Sequence, residues 1–192
     1  MVRWRSVSVA PYPHDLAAAR RELAAAGNPP LEGTIGARAD DPTNVRIATL
    51  VQSQLAAAGF QLALKPQPTR LWYSFTGLLR DGKAAVVGET WIGGSDPEQS
   101  VNLRCATATE GGDNHSFYCS RELDTLFDDQ MRARSERQRR HDFDEMQVLV
   151  HRDVPVIPLY YEVLLEGVNK RVTGYAKNML RFPVGAENWD AR

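Results

Sequence analysis

No stretch of this 192-residue chain is apolar for long enough to cross a bilayer as a helix. Neither sign of charge prevails: the formal net charge is −1, which argues against a nucleic acid or an anionic membrane held by bulk electrostatics. Lysine is scarce, with only Lys65, Lys83, Lys170 and Lys177, so positive charge is carried by arginine, which we read first as coding bias. Cysteine occurs twice, as Cys105 and Cys119. There is no G-x-S-x-G, no H-E-x-x-H and no phosphate-cradling P-loop, which excludes the commonest nucleophile, zinc-protease and nucleotide signatures. Arg3 and Arg5 have no apolar run behind them, so Met1 to Ala10 does not read as a secretory signal.

What is present is ordinary for a globular domain. Hydrophobic residues make up 43% and charged residues 24%. A chain of this size buries roughly 70% of its unfolded surface, enough for a true core. Leu16, Ala19, Leu23 and Ala26 share a helical stripe over about residues 15–26, which Gly27 and Pro29-Pro30 end. Residues 33–38 read as a strand. Asp41 and Pro42 then mark a helix start as N-cap and first helical position, and Ile47, Leu50, Val51, Leu55 and Ala58 carry that helix to Gly59. Phe60, Leu62 and Leu64 alternate with Gln61, Ala63 and Lys65 as in a strand. A third helix is predicted from Thr69 to Gly82 on Leu71, Trp72, Phe75, Leu78 and Leu79, and Ala84 to Val87 fits a buried strand. This strand–helix alternation implies parallel strands with ligands beyond their carboxyl ends, where 38–42 and 91–97 fall.

Residues 98–119 read as a long polar loop. Ser120 caps a helix with Leu123, Leu126, Phe127 and Met131. Ser135 and Gln138 form a capping box for one with Phe143, Met146, Leu149 and Val150. Val156 to Val163 is strand-like, with Pro158 arguing for an edge, and Val168 to Tyr175 is a candidate partner strand.

Few features could carry chemistry. A Cys105–Cys119 bond would close a 15-residue polar loop, worth about 3 kcal/mol of chain entropy. Two free thiols, as in a reducing cytosol, remain the alternative. A zinc site of Cys105, His115 and Cys119 lacks a fourth ligand and matches no usual spacing. His14, His141 and His151 sit in no catalytic motif, and Arg132 to Arg140 reads as a solvated helix face. Trp91 to Pro97 joins an aromatic, two glycines and an acid after an apolar strand: either a turn with Trp91 in the core, or a loop that lets a ligand approach closely.

These pieces resemble family 5 extracellular solute-binding proteins of peptide and nickel ABC transporters. Tyr12 to Gly27, with Leu16-Ala17 and Arg21 to Gly27, resembles the family's "A-x-x-L-L-x-E-A-G" helix, and Ile47 to Leu55 with Gly59 its "I-A-x-x-I-Q-x-x-L…G-I" helix. Trp91 to Pro97 is similar to "W-x-G-D-x-x-D-P", and Ser120 to Leu126 to "N-P-E-L-D-x-L-L". Asp153 to Tyr160 is close to "D-x-P-x-I-P-L-Y", and Val172 to Tyr175 to "V-x-G-Y".

The resemblance implies an α/β, periplasmic-binding-protein-like (type II) lobe with a mixed, largely parallel sheet flanked by helices, truncated at the N-terminal side. Residues 1–12 would be an irregular lead-in. Residues 13–175 would be the C-terminal lobe, and 176–192 a return segment packing on a missing first lobe. It implies the substrate-binding part of an ABC transporter for peptides or peptide-like solutes. The partners would be such a solute and the permease subunits, with no nucleic acid, no cofactor and no catalysis, in a periplasmic or extracytoplasmic place. The alternatives are a small metal-binding enzyme using Cys105, His115 and Cys119, or a stand-alone interaction module. Dipeptide-binding members carry two cysteines around a polar loop, as Cys105 and Cys119 do here. Their carboxylate-binding arginine falls on Arg38, and their amine-binding aspartate falls on Gly94. Asp40 replaces an aromatic residue. The implied ligand set is Arg38, Asp40, Trp91, Gly93, Gly94, Ser95 and Asp96.

Overall fold

The structure, a computed structural model, describes residues 9–91, 96–161, 163, 165–178 and 182–191. It forms two compact units: Met1–Thr90 with Gln99–Pro155, and Trp91–Glu98 with Val156–Arg192.

The first unit is built on three parallel strands. β1 (Glu32–Arg38) lies between β2 (Gln61–Gln67) and β3 (Val86–Val87). Ile35 faces Leu64 on one side and Val86 on the other. A strand with neighbours on both edges and cover on both faces carries apolar residues without alternation. Accordingly Ile35, Gly36 and Ala37 are all buried. The Ile35 and Ala37 face packs with Ala48 of α2 (Pro42–Ala57) and with Leu62, flanked by Val45, Val51 and Leu55. The opposite face, marked by Gly36, receives Trp72, whose ring would lie 2.9 Å from a Cβ at that position. Only glycine lets the indole sit flat on the strand.

The helix expected over 69–82 is a single turn, α3 (Thr69–Trp72), and Pro68 rather than Thr69 occupies its N-cap position. The cause is Gly77. A Cβ there would stand 2.0 Å from the carbonyl oxygen of Leu71, so the chain folds back on the turn instead of continuing it. Trp72 and Leu79 still reach the interior, while Phe75 is exposed. Leu50, placed on the buried stripe of α2, is also exposed, and Asn44 and Ala48 carry that face instead.

α1 (Leu16–Ala25) begins on Asp15, whose side chain accepts from the Ala18 N–H. None of its residues is fully buried. It is tied to α2 through Arg20, which donates to the Ala57 carbonyl at 2.8 Å.

The loop read over 98–119 contains a short helix, α4 (Ser100–Leu103), and a 3₁₀ turn, Cys105–Thr107. α5 (Arg121–Arg132) and α6 (Glu136–Asp153) then pair as a hairpin. Their shared core is Leu103, Leu123, Phe127, Phe143, Met146 and Leu149, each such large side chain worth about 1.5–3 kcal/mol of transfer free energy. Ser120 and Ser135 cap the two helices, accepting from the Leu123 and Gln138 N–H groups at 3.2 Å. The reciprocal half of the expected box differs: Gln138 accepts from Arg134 rather than from Ser135.

In the second unit the described residues of 156–163 form no strand, and Val156, Ile157, Leu159 and Tyr160 are exposed. Pro155 and Pro158 supply no N–H to a ladder. β4 (Val172–Thr173) pairs antiparallel with β7 (Asp190–Ala191), and β5 (Ala176–Lys177) with β6 (Pro183–Val184). Tyr175 packs on Trp189 and donates to Glu166, which also pairs with Lys177.

Candidate functional site

The strand order β2–β1–β3 makes the chain leave β1 toward one side and return on the other. The carboxyl ends of β1 and β3 therefore flank a topological switch point, where open α/β sheets bind ligands. Asn44 bridges that gap. Its amide accepts from the Arg38 N–H at 2.8 Å and donates to the Gly88 carbonyl at 3.1 Å.

Arg38 is the last residue of β1, and its side chain is aimed by two partners. Its Nη1 donates to the Tyr73 hydroxyl at 2.8 Å, and its Nη2 pairs with Asp41. Asp41 is also the N-cap of α2, taking the Thr43 and Asn44 N–H groups at 3.0 Å. The Asn44 N–H, then Arg38, hold the Asp41 carboxyl below the usual carboxylate range. The Asp41 hydrogen bond in turn raises the Arg38 pKa above its ordinary value, against burial. Two of the guanidinium's five donors are thus engaged by residues that orient it. The planar fork suits a carboxylate approaching from the crevice.

Asp40 is exposed, and its carboxylate takes the Thr69 hydroxyl at 2.6 Å and the Thr69 N–H at 3.3 Å. The Thr69 hydroxyl bond lowers its pKa. Asp40 thereby braces the turn that carries Arg38 against the start of α3. Trp91 is exposed in the second unit, where Asp96 accepts from the Glu98 N–H at 3.1 Å. Gly93, Gly94 and Ser95 lie outside the described residues.

Three residues at the crevice were not named as site residues from the sequence: Trp72, read only as an apolar helix position, Tyr73 and Glu89. The buried indole of Trp72 donates to Glu89 Oε2 at 3.0 Å, and the Tyr73 hydroxyl donates to Glu89 Oε1 at 3.0 Å. Burial, then Glu89, raises the Tyr73 pKa. Tyr73 falls inside the segment whose spacing predicts one long helix. Glu89 stands two residues past β3, and the rule that ligands meet strand ends would have flagged it.

Cys105 and Cys119 are bonded, with Cα atoms 4.4 Å apart. That corrects the metal reading: disulfide sulfurs are not thiolate ligands, and among the described residues no cluster of three His, Cys, Asp or Glu could hold a metal. The half-buried His115 is instead pushed below its ordinary pKa by burial, with Arg80 adding to the effect. Arg80 is engaged with the loop, donating to the Gly111 carbonyl at 3.0 Å and to Asp113 at 2.7 Å. The fully buried Asn114 anchors the staple, donating to the carbonyls of Arg104 at 3.1 Å and Tyr118 at 2.8 Å.

With this arrangement in view, the chain can be set beside known proteins. Residues 4–113 match the profile of bacterial extracellular solute-binding proteins, family 5 Middle. The chain belongs to that family. It is 29% identical over 180 residues to di/tripeptide-binding protein 4 of Pseudomonas aeruginosa, covering 90% of this chain and 33% of that protein. It is 26% identical over 176 residues to heme-binding protein A of Haemophilus influenzae, covering 87% and 31%. The HbpA2 structure from Haemophilus parasuis superposes with a TM-score of 0.77 at 20% identity, over 98% of this chain and 38% of that one. The fold is therefore the α/β lobe of a type II periplasmic binding protein. The chain spans about a third of the length of the curated relatives it matches.

Proposed function

We propose that this chain is a ligand-binding lobe of an extracytoplasmic solute-binding protein, the component of an ABC transporter that captures peptides or peptide-like solutes and delivers them to the permease. One observation carries the reading. Arg38 ends the central parallel strand at the switch point, and Asp41 and Tyr73 hold its guanidinium in place before any ligand arrives. Orienting a cation in advance removes the ordering cost that an arginine on a loop would meet on binding. The lobe does no chemistry on its ligand: it binds the solute's carboxylate at Arg38. Trp91, Gly93, Gly94, Ser95 and Asp96 are assigned to the ligand on the family's loop motif, and Asp40 supports Arg38 through Thr69. The opposite wall of the cleft would come from polypeptide beyond these 192 residues, in keeping with the one-third span. Affinity of this lobe alone is then weak, on the order of millimolar.

Titrating the ¹⁵N-labelled chain with Ala-Ala tests the reading. Saturable shifts should gather at the Arg38, Asn44 and Tyr73 amides. Arg38→Gln should weaken them roughly ten- to a hundredfold, as expected for a charge-assisted hydrogen-bonded pair. Saturable binding that Arg38→Gln leaves unchanged would refute the assignment.

A further inference from the structure

We propose that Glu89 is the second charged anchor of this site, taking the ammonium group of a zwitterionic ligand whose carboxylate meets Arg38. The proposal rests on the peptide-binding reading above and adds the feature that would select among ligands.

The argument starts from the hydrogen bonds of the carboxylate. Glu89 follows β3 at the carboxyl edge of the sheet, across the switch point from Arg38, and its side chain is exposed. Three donors fix it: Trp72 Nε1 at 3.0 Å on Oε2, and the Tyr73 hydroxyl at 3.0 Å and the Thr90 N–H at 2.9 Å on Oε1. All three are neutral, so they orient the carboxylate without cancelling its charge. An ionised carboxylate offers about four lone-pair sites, so Oε2 keeps one open. Among the described residues, no lysine, arginine or histidine forms an ion pair with Glu89.

The neighbouring acids are differently placed. Asp41 is taken by Arg38 and the α2 cap, and Asp40 by Thr69. Among the described residues, Glu89 is therefore the acid at the switch point that forms no ion pair, and the nearby His115 is held toward its neutral form by burial.

Its distance from the opposite charge is set by a single group. The Tyr73 hydroxyl accepts from Arg38 at 2.8 Å while donating to Glu89 at 3.0 Å. A fixed cation and a fixed anion thus stand one hydroxyl apart on the same wall. A short zwitterion, with ammonium and carboxylate near each other, matches both. A ligand bearing only the carboxylate leaves Glu89 unmatched as water is excluded, and an unmatched charge is penalised there.

The test uses the ¹⁵N-labelled chain, the Trp72 indole N–H as reporter, and two probes: Ala-Ala and N-acetyl-Ala-Ala. The expected result is that acetylation weakens binding to the wild-type chain by about tenfold or more. Glu89→Gln, which keeps an oxygen acceptor, should weaken Ala-Ala by a similar factor and should not weaken N-acetyl-Ala-Ala, which is held equally well or tighter once the unmatched charge is gone. Equal binding of the two peptides to the wild-type chain would overturn the role of Glu89; if Arg38→Gln still abolished that binding, the carboxylate reading would stand. No shift with either peptide at millimolar concentration would overturn both. If Glu89→Gln fails to fold, the Trp72 indole N–H, which donates to Glu89 Oε2, still reports on Glu89 in the wild-type chain: it should shift with Ala-Ala and not with N-acetyl-Ala-Ala, and an equal shift with both would overturn the proposal.

Discussion

Reducing the Cys105–Cys119 bond should destabilise the first unit without dismantling it. The bond closes a loop with a sequence separation of 14, for which chain entropy alone gives about 3 kcal/mol. The loop has little burial to replace that contribution, since Ala106 to Tyr118 is mostly polar. It does have Asn114, whose amide reaches the carbonyls of Arg104 and Tyr118, each next to one of the cysteines. Two buried hydrogen bonds contribute about 1–3 kcal/mol together, so the loop should keep its course in the reduced protein. For a chain of this size, about 3 kcal/mol corresponds to a fall in Tm of roughly 6–12 °C. Thermal melts followed by circular dichroism, with and without a phosphine reductant, measure it, and thiol titration of the unreduced protein confirms the starting state. Cys105→Ala with Cys119→Ala should reproduce the shift. In that background Asn114→Ala should release the loop ahead of the rest of the unit, read as faster hydrogen exchange over residues 114–118. Two titratable thiols in the native protein, or a melting point indifferent to reductant, would refute the reasoning.

Gly36→Ala places a Cβ 2.9 Å from the Trp72 ring and should cost about 1–3 kcal/mol, seen in urea denaturation as a lower midpoint with unchanged slope. Asp142, buried on α6 with no hydrogen-bond partner for Oδ2 among the described residues, has its pKa raised by burial. A carboxyl whose folded pKa is raised lowers stability once pH exceeds the unfolded value, because the folded state must then hold a desolvated charge. Asp142→Asn should therefore raise Tm by about 2–4 °C at neutral pH, with the gain vanishing as pH falls below the ordinary carboxylate range.

Much of the fold was legible because its signals are local. The Asp41-Pro42 start, the alternation of Phe60, Leu62 and Leu64, and the serine caps at 120 and 135 each report on a few neighbouring residues, and each element formed. The helix over 69–82 failed for a non-local reason. Its apolar spacing is helical, yet Gly77 brings the backbone against the Leu71 carbonyl, which no count of apolar residues reveals. Val156 to Val163 looked like a strand by composition, but Pro158 interrupts its run of ladder donors and Pro155 stands at its entry. Arg38 could be found because it ends a strand. Glu89, two residues past β3, could have been found by the same rule, whereas Tyr73 could not, because its role depends on the short turn that sets its hydroxyl between Arg38 and Glu89.

The central claim is that Arg38 receives a ligand's carboxylate, and removing only that carboxylate tests it most directly. Ala-Ala and its C-terminal amide differ at that one group, so their affinities for the wild-type chain should differ by about tenfold or more, with the difference lost in Arg38→Gln. Equal affinities for acid and amide in the wild-type chain would contradict the account.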